Sequence, residues 1–121
     1  MTSTGPRVVA VLITHDGAAS LRGTLTALAA QTQPGIEVLA VDNASEDGTG
    51  ALLVDLLGPD RVLLSDQDLG VPVALDLALD ALDAQDARHG CSGPRPDDLV
   101  LLVHDDLELA PDAVALLVAA L

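Results

Sequence analysis

The chain has 121 residues, half of them hydrophobic, a formal charge of −14, and no Phe, Tyr or Trp. That length supports one domain with a real core and is too short for two. Five Arg and no Lys exclude a basic nucleic-acid groove, which needs clustered positive charge. The lack of rings excludes base stacking and aromatic cages.

In chain order, Arg7 to Thr14 (R-V-V-A-V-L-I-T) is a first buried strand rich in β-branched residues, broken by His15-Asp16-Gly17. A helix follows, with Ala18, Leu21, Leu25 and Leu28 on one face at three- and four-residue steps. It stops near Gln31, ahead of Pro34-Gly35. Ile36 to Val41 is a second strand ending on Asp42-Asn43. Ser45 then reads as the N-cap of a second helix, with Glu46 and Asp47 suited to its positive end. Leu53, Leu56 and Leu57 supply that helix's buried face, and Gly58-Pro59 stops it.

Arg61 to Ser65 is a short third strand, and Asp66 to Gly70 a polar turn. The third helix runs from about Pro72 to Asp86, with Ala74, Leu77, Ala78, Ala81 and Leu82 on its apolar side. Asp76, Asp80 and Asp83 lie opposite, as a solvated face. Ala87 to Asp98, rich in Gly and Pro, is a candidate insertion. It contains the sole cysteine, Cys91, so no internal disulfide or thiolate cluster can form. Leu99 to Leu109 (L-V-L-L-V-H-D-D-L-E-L) opens on an unbroken apolar run, which predicts a fourth strand buried on both faces. Ala110-Pro111 opens a last helix with Val114, Leu117, Val118 and Leu121 as its stripe. The chain stops on that stripe without a C-cap, so we expect a truncated domain. There is no apolar signal core before the first strand and no apolar run of membrane-spanning length. A soluble cytoplasmic chain is therefore expected, at most peripheral at the inner face of the membrane.

Alternating strands and helices predict a parallel sheet with helices on both faces. Right-handed crossovers then bring every strand's C-terminal end to one edge. His15, Asp16, Asp42, Asn43, Asp66, Asp105 and Asp106 all fall there, where open α/β sheets bind ligands. Asp42, in V-D-N-A-S-E-D-G-T, is either an Asx-type turn residue or a ribose or base partner. His15 is either a turn residue beside Asp16-Gly17 or a metal ligand or catalytic base. Two adjacent carboxylates at one strand end repel by about 4 kcal/mol at 4 Å and an effective dielectric near 20. Mg2+ or Mn2+, which bind through one or two carboxylates plus substrate phosphates, would offset that cost at Asp105 and Asp106. In a chain without lysine, metal and backbone N–H groups must do much of the phosphate binding.

Four segments, in order, carry a family resemblance. They are V-V-A-V-L-I-T-H-D with L-R-G-T-L-T-A-L-A-A-Q-T; E-V-L-A-V-D-N-A-S-E-D-G-T; D-L-G-V-P-V-A-L-D-L-A-L; and L-V-L-L-V-H-D-D-L-E-L-A-P-D-A. Together they resemble the nucleotide-binding half of a family-2 glycosyltransferase of the GT-A fold, spanning nearly all of residues 1–121. The resemblance implies a doubly wound, Rossmann-like three-layer domain with a mainly parallel four-stranded sheet. It implies transfer of a sugar from a nucleoside-diphosphate sugar to an acceptor hydroxyl on a glycan, lipid or cell-envelope molecule, metal-assisted and with inversion. Thr14, His15 and Asp16 would line the nucleobase pocket, with Asp42 and Asn43 beside them. Asp105 would face the ribose or the metal, and Asp106 would hold Mg2+ or Mn2+.

The chain departs from the pattern where His104 replaces an acid. It departs again where Asp76 stands for a common Asn and Leu75 for a base-contacting Arg of some relatives. The family's catalytic base and acceptor-binding elements come after this segment. A sugar-nucleotidyltransferase is a rival reading, from G-A-A-S-L-R-G at Gly17 to Gly23. The lysine such enzymes use cannot exist here, and its absence also excludes a P-loop or a phosphoacceptor receiver. The non-enzymatic alternative is an acidic α/β interaction module or an inactive remnant.

Overall fold

The computed structural model describes residues 7–88 and 98–120. The strands are β1 (Val8–Thr14), β2 (Ile36–Asn43), β3 (Val62–Ser65) and β4 (Leu99–His104). The helices are α1 (Ala18–Ala29), α2 (Thr49–Leu57), α3 (Gly70–Arg88) and α4 (Ala113–Ala120), and a 3-10 turn at Pro59–Arg61 precedes β3. All strand pairings are parallel, in the order β3-β2-β1-β4. Most of the expected insertion, Cys91 and Leu121 lie outside the described residues. Among the described residues no helix is long and apolar enough to cross a membrane.

Strand alternation sorts the core into two layers. Val9, Val11, Ile13, Leu39 and Val41 face α3 through Ala74, Ala78 and Leu82. Ala10, Leu12, Ala40, Val62 and Val103 face the other way, onto Leu21 and Leu28 of α1 and Leu53 of α2. The doubly wound, three-layer α/β class expected from the sequence is therefore observed. Small alanines on α3 let that helix lie close over β1 and β2, and fully buried Leu12, Leu21, Leu39, Leu53 and Leu82 each contribute roughly 1.5–3 kcal/mol.

Several expectations need correction. The strand buried on both faces is β1, all seven of whose residues are buried, whereas β4 is an edge strand with Val100, Leu102 and His104 exposed. Those three pair with Val9, Val11 and Ile13, so they share the α3 side of the sheet, but the described α3 contacts run to β1 and β2. On α3, Leu77 is exposed, because the contact stripe is filled by Ala74, Ala78 and Leu82 with Leu75 packed beside them. Leu56 of α2 and Leu117 of α4 are likewise exposed. Ser45 does not cap α2, which begins at Thr49 after a left-handed Gly48. The N-cap is Gly48, which has no side chain, and Asp47 just before it serves both helix starts: its carboxylate accepts the N–H of Thr49 at 3.1 Å and, across the loop, that of Ala18 at the start of α1, also at 3.1 Å.

Candidate active site at the switch point

Chain order reverses between β1 and β4, since the chain leaves β3 at one side of the sheet and returns at the other. In open α/β sheets the splayed loops at such a point leave a crevice at the strands' C-terminal ends. Here a cleft of about 590 Å3 is lined by Thr14, His15, Asn43, Asp68, Val71, His104 and Asp105, among others. The volume lies in the range of small-molecule sites.

Asp105 forms one wall and is buried. Its Oδ2 accepts the backbone N–H of His15 at 2.9 Å. Its carbonyl oxygen accepts the hydroxyls of Ser20 at 2.9 Å and Thr24 at 3.0 Å, both from α1. Gly17 lets the carboxylate pack against the start of that helix, for a Cβ there would lie 2.4 Å from Oδ2. Asp106 is exposed, with Oδ1 2.7 Å from His104 Nδ1, and the same nitrogen lies 3.3 Å from Asp105 Oδ1. Ligand atoms of His104, Asp105 and Asp106 all fall within 4.8 Å of one another. The like-charge cost expected at this strand end is thus partly offset by protein donors.

Around β1 and β2 the groups are tied to each other. Thr14 donates its hydroxyl to Asp42 Oδ1 at 2.7 Å, and Ser45 donates to the same oxygen. The Ser45 hydroxyl in turn accepts the N–H of Asp16 at 2.8 Å, and Asp16 Oδ1 accepts the N–H of Glu46 at 2.7 Å. Asp42 is therefore enclosed behind Thr14, its Oδ2 accepting the N–H of Ser45 at 3.4 Å and lying close to Gly50, where a Cβ would be 3.0 Å from it. Asp16 and Ala44 take positive φ angles of 49° and 55°, a conformation costing about 1–2 kcal/mol per non-glycine residue. Both strained residues sit at this edge, where function concentrates such strain.

His15 Nδ1 bonds the Asn43 carbonyl, which requires the proton on Nδ1. That bond raises the imidazole's pKa above its ordinary value, burial works against it, and Asp16, Asp68 and Asp42 add to the rise. Asn43 is buried, and its Oδ1 has no partner among the described residues, leaving an acceptor on a residue that lines the cleft.

Of the residues singled out from the sequence, Thr14, His15, Asn43 and Asp105 line the cleft. Asp106 stands beside them at His104, and Asp16 and Asp42 support the wall from behind. Asp66 does not line the cleft; Asp68, two residues on, does. Sequence reasoning missed Ser20, Thr24, Gly17 and Asp68. Ser20 and Thr24 did leave a signal, as hydroxyls one turn apart near the Leu21 and Leu28 face of α1. Among the described residues no arginine lines the cleft. Arg7 and Arg61 instead pair with Glu37 toward the opposite edge of the sheet.

The profile of a protein family described as "Glycosyl transferase family 2" matches residues 9–121. The chain belongs to that family. Its fold is shared with GT-A glycosyltransferases of known structure. S. aureus TarS superposes with a TM-score of 0.68 at 20% identity, covering 93% of this chain and 19% of TarS. The mannosyltransferase PcManGT from Pyrobaculum calidifontis, solved with GDP-Man and Mn2+, gives 0.68 at 26% identity, covering 98% of this chain and 32% of that one. The family-2 chain thus spans between a fifth and a third of these structures' lengths. No curated protein matches it at a significant level.

Proposed function

We propose that residues 1–121 form the donor-binding half of a metal-dependent glycosyltransferase that moves a sugar from a nucleoside diphosphate to an acceptor hydroxyl. The carrying observation is the switch-point cleft, which sets Asp68, Asp105, His15 and His104 among apolar residues and has no lining arginine among the described residues. A dianionic diphosphate entering such a cleft needs a counter-charge, and the donor set at its rim suits one. Two carboxylates with open coordination positions match the way Mg2+ or Mn2+ is held beside substrate phosphates. The similarity to PcManGT, solved with GDP-Man and Mn2+, supports the same pairing of ligands here.

In this reading Asp106 would hold the cation directly. Asp105, fixed through its carbonyl by Ser20 and Thr24, would offer Oδ1 to the cation or the ribose. The cation would supply charge stabilisation for the departing diphosphate. Thr14, His15 and Asn43 flank the nucleobase, and Asp16 and Asp42 hold that wall in place from behind. The spare acceptor Asn43 Oδ1 suits an N–H donor of the base or a ribose hydroxyl. The base that activates the acceptor, the acceptor (glycan, lipid or cell-envelope molecule) and inversion at the sugar carbon are assigned to the enzyme as a whole. The net charge of −14 keeps the domain off anionic bilayers and fits a cytoplasmic location.

Calorimetry with UDP-, GDP- and dTDP-sugars, with and without Mn2+, tests the reading. One donor should bind in a metal-dependent way, and Asp106→Ala should remove the metal dependence. Absence of binding in every case, or metal-dependent binding unchanged in Asp106→Ala, refutes it and leaves a non-catalytic module.

A further inference from the structure

We infer that His104 is a third protein ligand of the divalent cation, through Nδ1, and that it biases the site toward Mn2+ over Mg2+. The inference rests on the proposed metal-dependent reading, and adds to it a ligand and a selectivity.

An ion bound octahedrally at about 2.1 Å places neighbouring donors about 3.0 Å apart. The His104 Nδ1 to Oδ1 distances of 2.7 Å for Asp106 and 3.3 Å for Asp105 bracket that separation. Two sides of the donor set thus have the lengths found around one cation, and ligand atoms of the three residues all lie within 4.8 Å of one another. Asp105 Oδ2 is taken by the His15 N–H, which leaves Oδ1, the oxygen nearest His104, for the ion. His104 is itself largely exposed, so its ring carries no packing duty that would explain its position. In the free chain the 2.7 Å contact with Asp106 Oδ1 places a proton on His104 Nδ1, so binding an ion there would require the neutral ring's proton to pass from Nδ1 to Nε2 through solvent, freeing the Nδ1 lone pair.

The chemical consequence follows from ligand type. Mg2+ is hard, demands oxygen donors and holds its waters tightly. Imidazole nitrogen favours first-row transition metals, whose affinities rise from Mn2+ onward. Exchanging one oxygen ligand for nitrogen therefore disfavours Mg2+ selectively.

The test is pulsed EPR of Mn2+ alone added to the full chain, with Mg2+ as competitor. The wild type should show an imidazole nitrogen coupling that changes from 14N to 15N when histidine is 15N-labelled. His104→Asp should still bind Mn2+, lose the coupling, and lower the Mn2+ to Mg2+ preference by roughly tenfold or more. His15→Gln should retain the coupling. Mn2+ binding without a histidine coupling, or a coupling and preference unchanged in His104→Asp, overturns the inference while the carboxylate site stands. Failure of the wild type to bind Mn2+ overturns both this inference and the reading beneath it. Circular dichroism of His104→Asp, expected to match wild type at so exposed a position, confirms that the variant reports on the site.

Discussion

Replacing Gly17 with alanine probes the packing that sets the position of Asp105. A Cβ at this position would lie 2.4 Å from Oδ2, 2.8 Å from Cγ and 3.1 Å from Cβ of Asp105. Non-bonded heavy atoms need about 3.5 Å, so the carboxylate must retreat by about an ångström. That movement breaks the bond from the His15 N–H to Oδ2, and a hydrogen bond to a charged group contributes about 1.5–3 kcal/mol. Against this, Gly17 has φ −106°, which alanine adopts freely, so a smaller entropy loss on folding returns about 0.4–1 kcal/mol. The net expectation is a destabilisation of about 1–2 kcal/mol, together with weaker Mn2+ binding.

Gly23 is the matched control. A Cβ there meets only the carboxyl end of Glu108, at 3.0 Å, and that exposed side chain can swing away. Alanine in a helix interior is favoured over glycine by roughly 0.5–1 kcal/mol, so Gly23→Ala should stabilise the fold by about 0.5 kcal/mol. Urea unfolding followed by far-UV circular dichroism is the assay, since a chain without Trp or Tyr has no useful intrinsic fluorescence. If both substitutions shift stability in the same direction, or Gly17→Ala leaves Mn2+ affinity intact, the proposed close approach does not position Asp105.

Other expectations follow from the same contacts. Ser20→Ala and Thr24→Val should each cost about 1 kcal/mol, whereas the double variant should exceed their sum by about 1–2 kcal/mol, because only the second deletion strands the Asp105 carbonyl; additive unfolding energies would refute the shared-acceptor geometry. Asp47 is held below its ordinary pKa chiefly by the Thr49 hydroxyl. Its stabilising contribution is therefore present above the ordinary Asp value and lost as pH falls through the depressed one. The stability difference between wild type and Asp47→Ala should accordingly be flat near neutrality and shrink in acid. Gln31 binds the Ala110 carbonyl at 2.8 Å and the Val114 N–H at 3.0 Å, so Gln31→Ala should speed hydrogen exchange at Val114. Unchanged exchange would mean that α4 is held by other contacts.

The element order, the parallel sheet and the collection of polar groups at one edge were legible in the residues. Each rests on a local pattern: β-branched runs, three- and four-residue apolar steps, and polar residues directly after strands. Right-handed connection then leaves little freedom in where the strand ends go. Burial of β4 was not legible, because an apolar run reads the same whether or not something lies across it. The bonds of Asp47 to the first N–H groups of α1 and α2 were hidden for a similar reason. Ser45 has the right chemistry for a cap, but Asp42 and Asp16 lie within its reach once β1 and β2 pair, and its hydroxyl goes to them.

The chain's own residues determined which polar groups collect at one edge of the sheet, with Asp105 and Asp106 adjacent at the end of β4. Only tertiary structure decided the division of labour among them. Contacts across long sequence separations enclosed Asp42 behind Thr14 and pinned Asp105 to α1 through Gly17, Ser20 and Thr24, while Asp106 stays exposed and paired with His104. Side-chain chemistry is written residue by residue, whereas which oxygen is already satisfied depends on which distant donor the fold delivers to it.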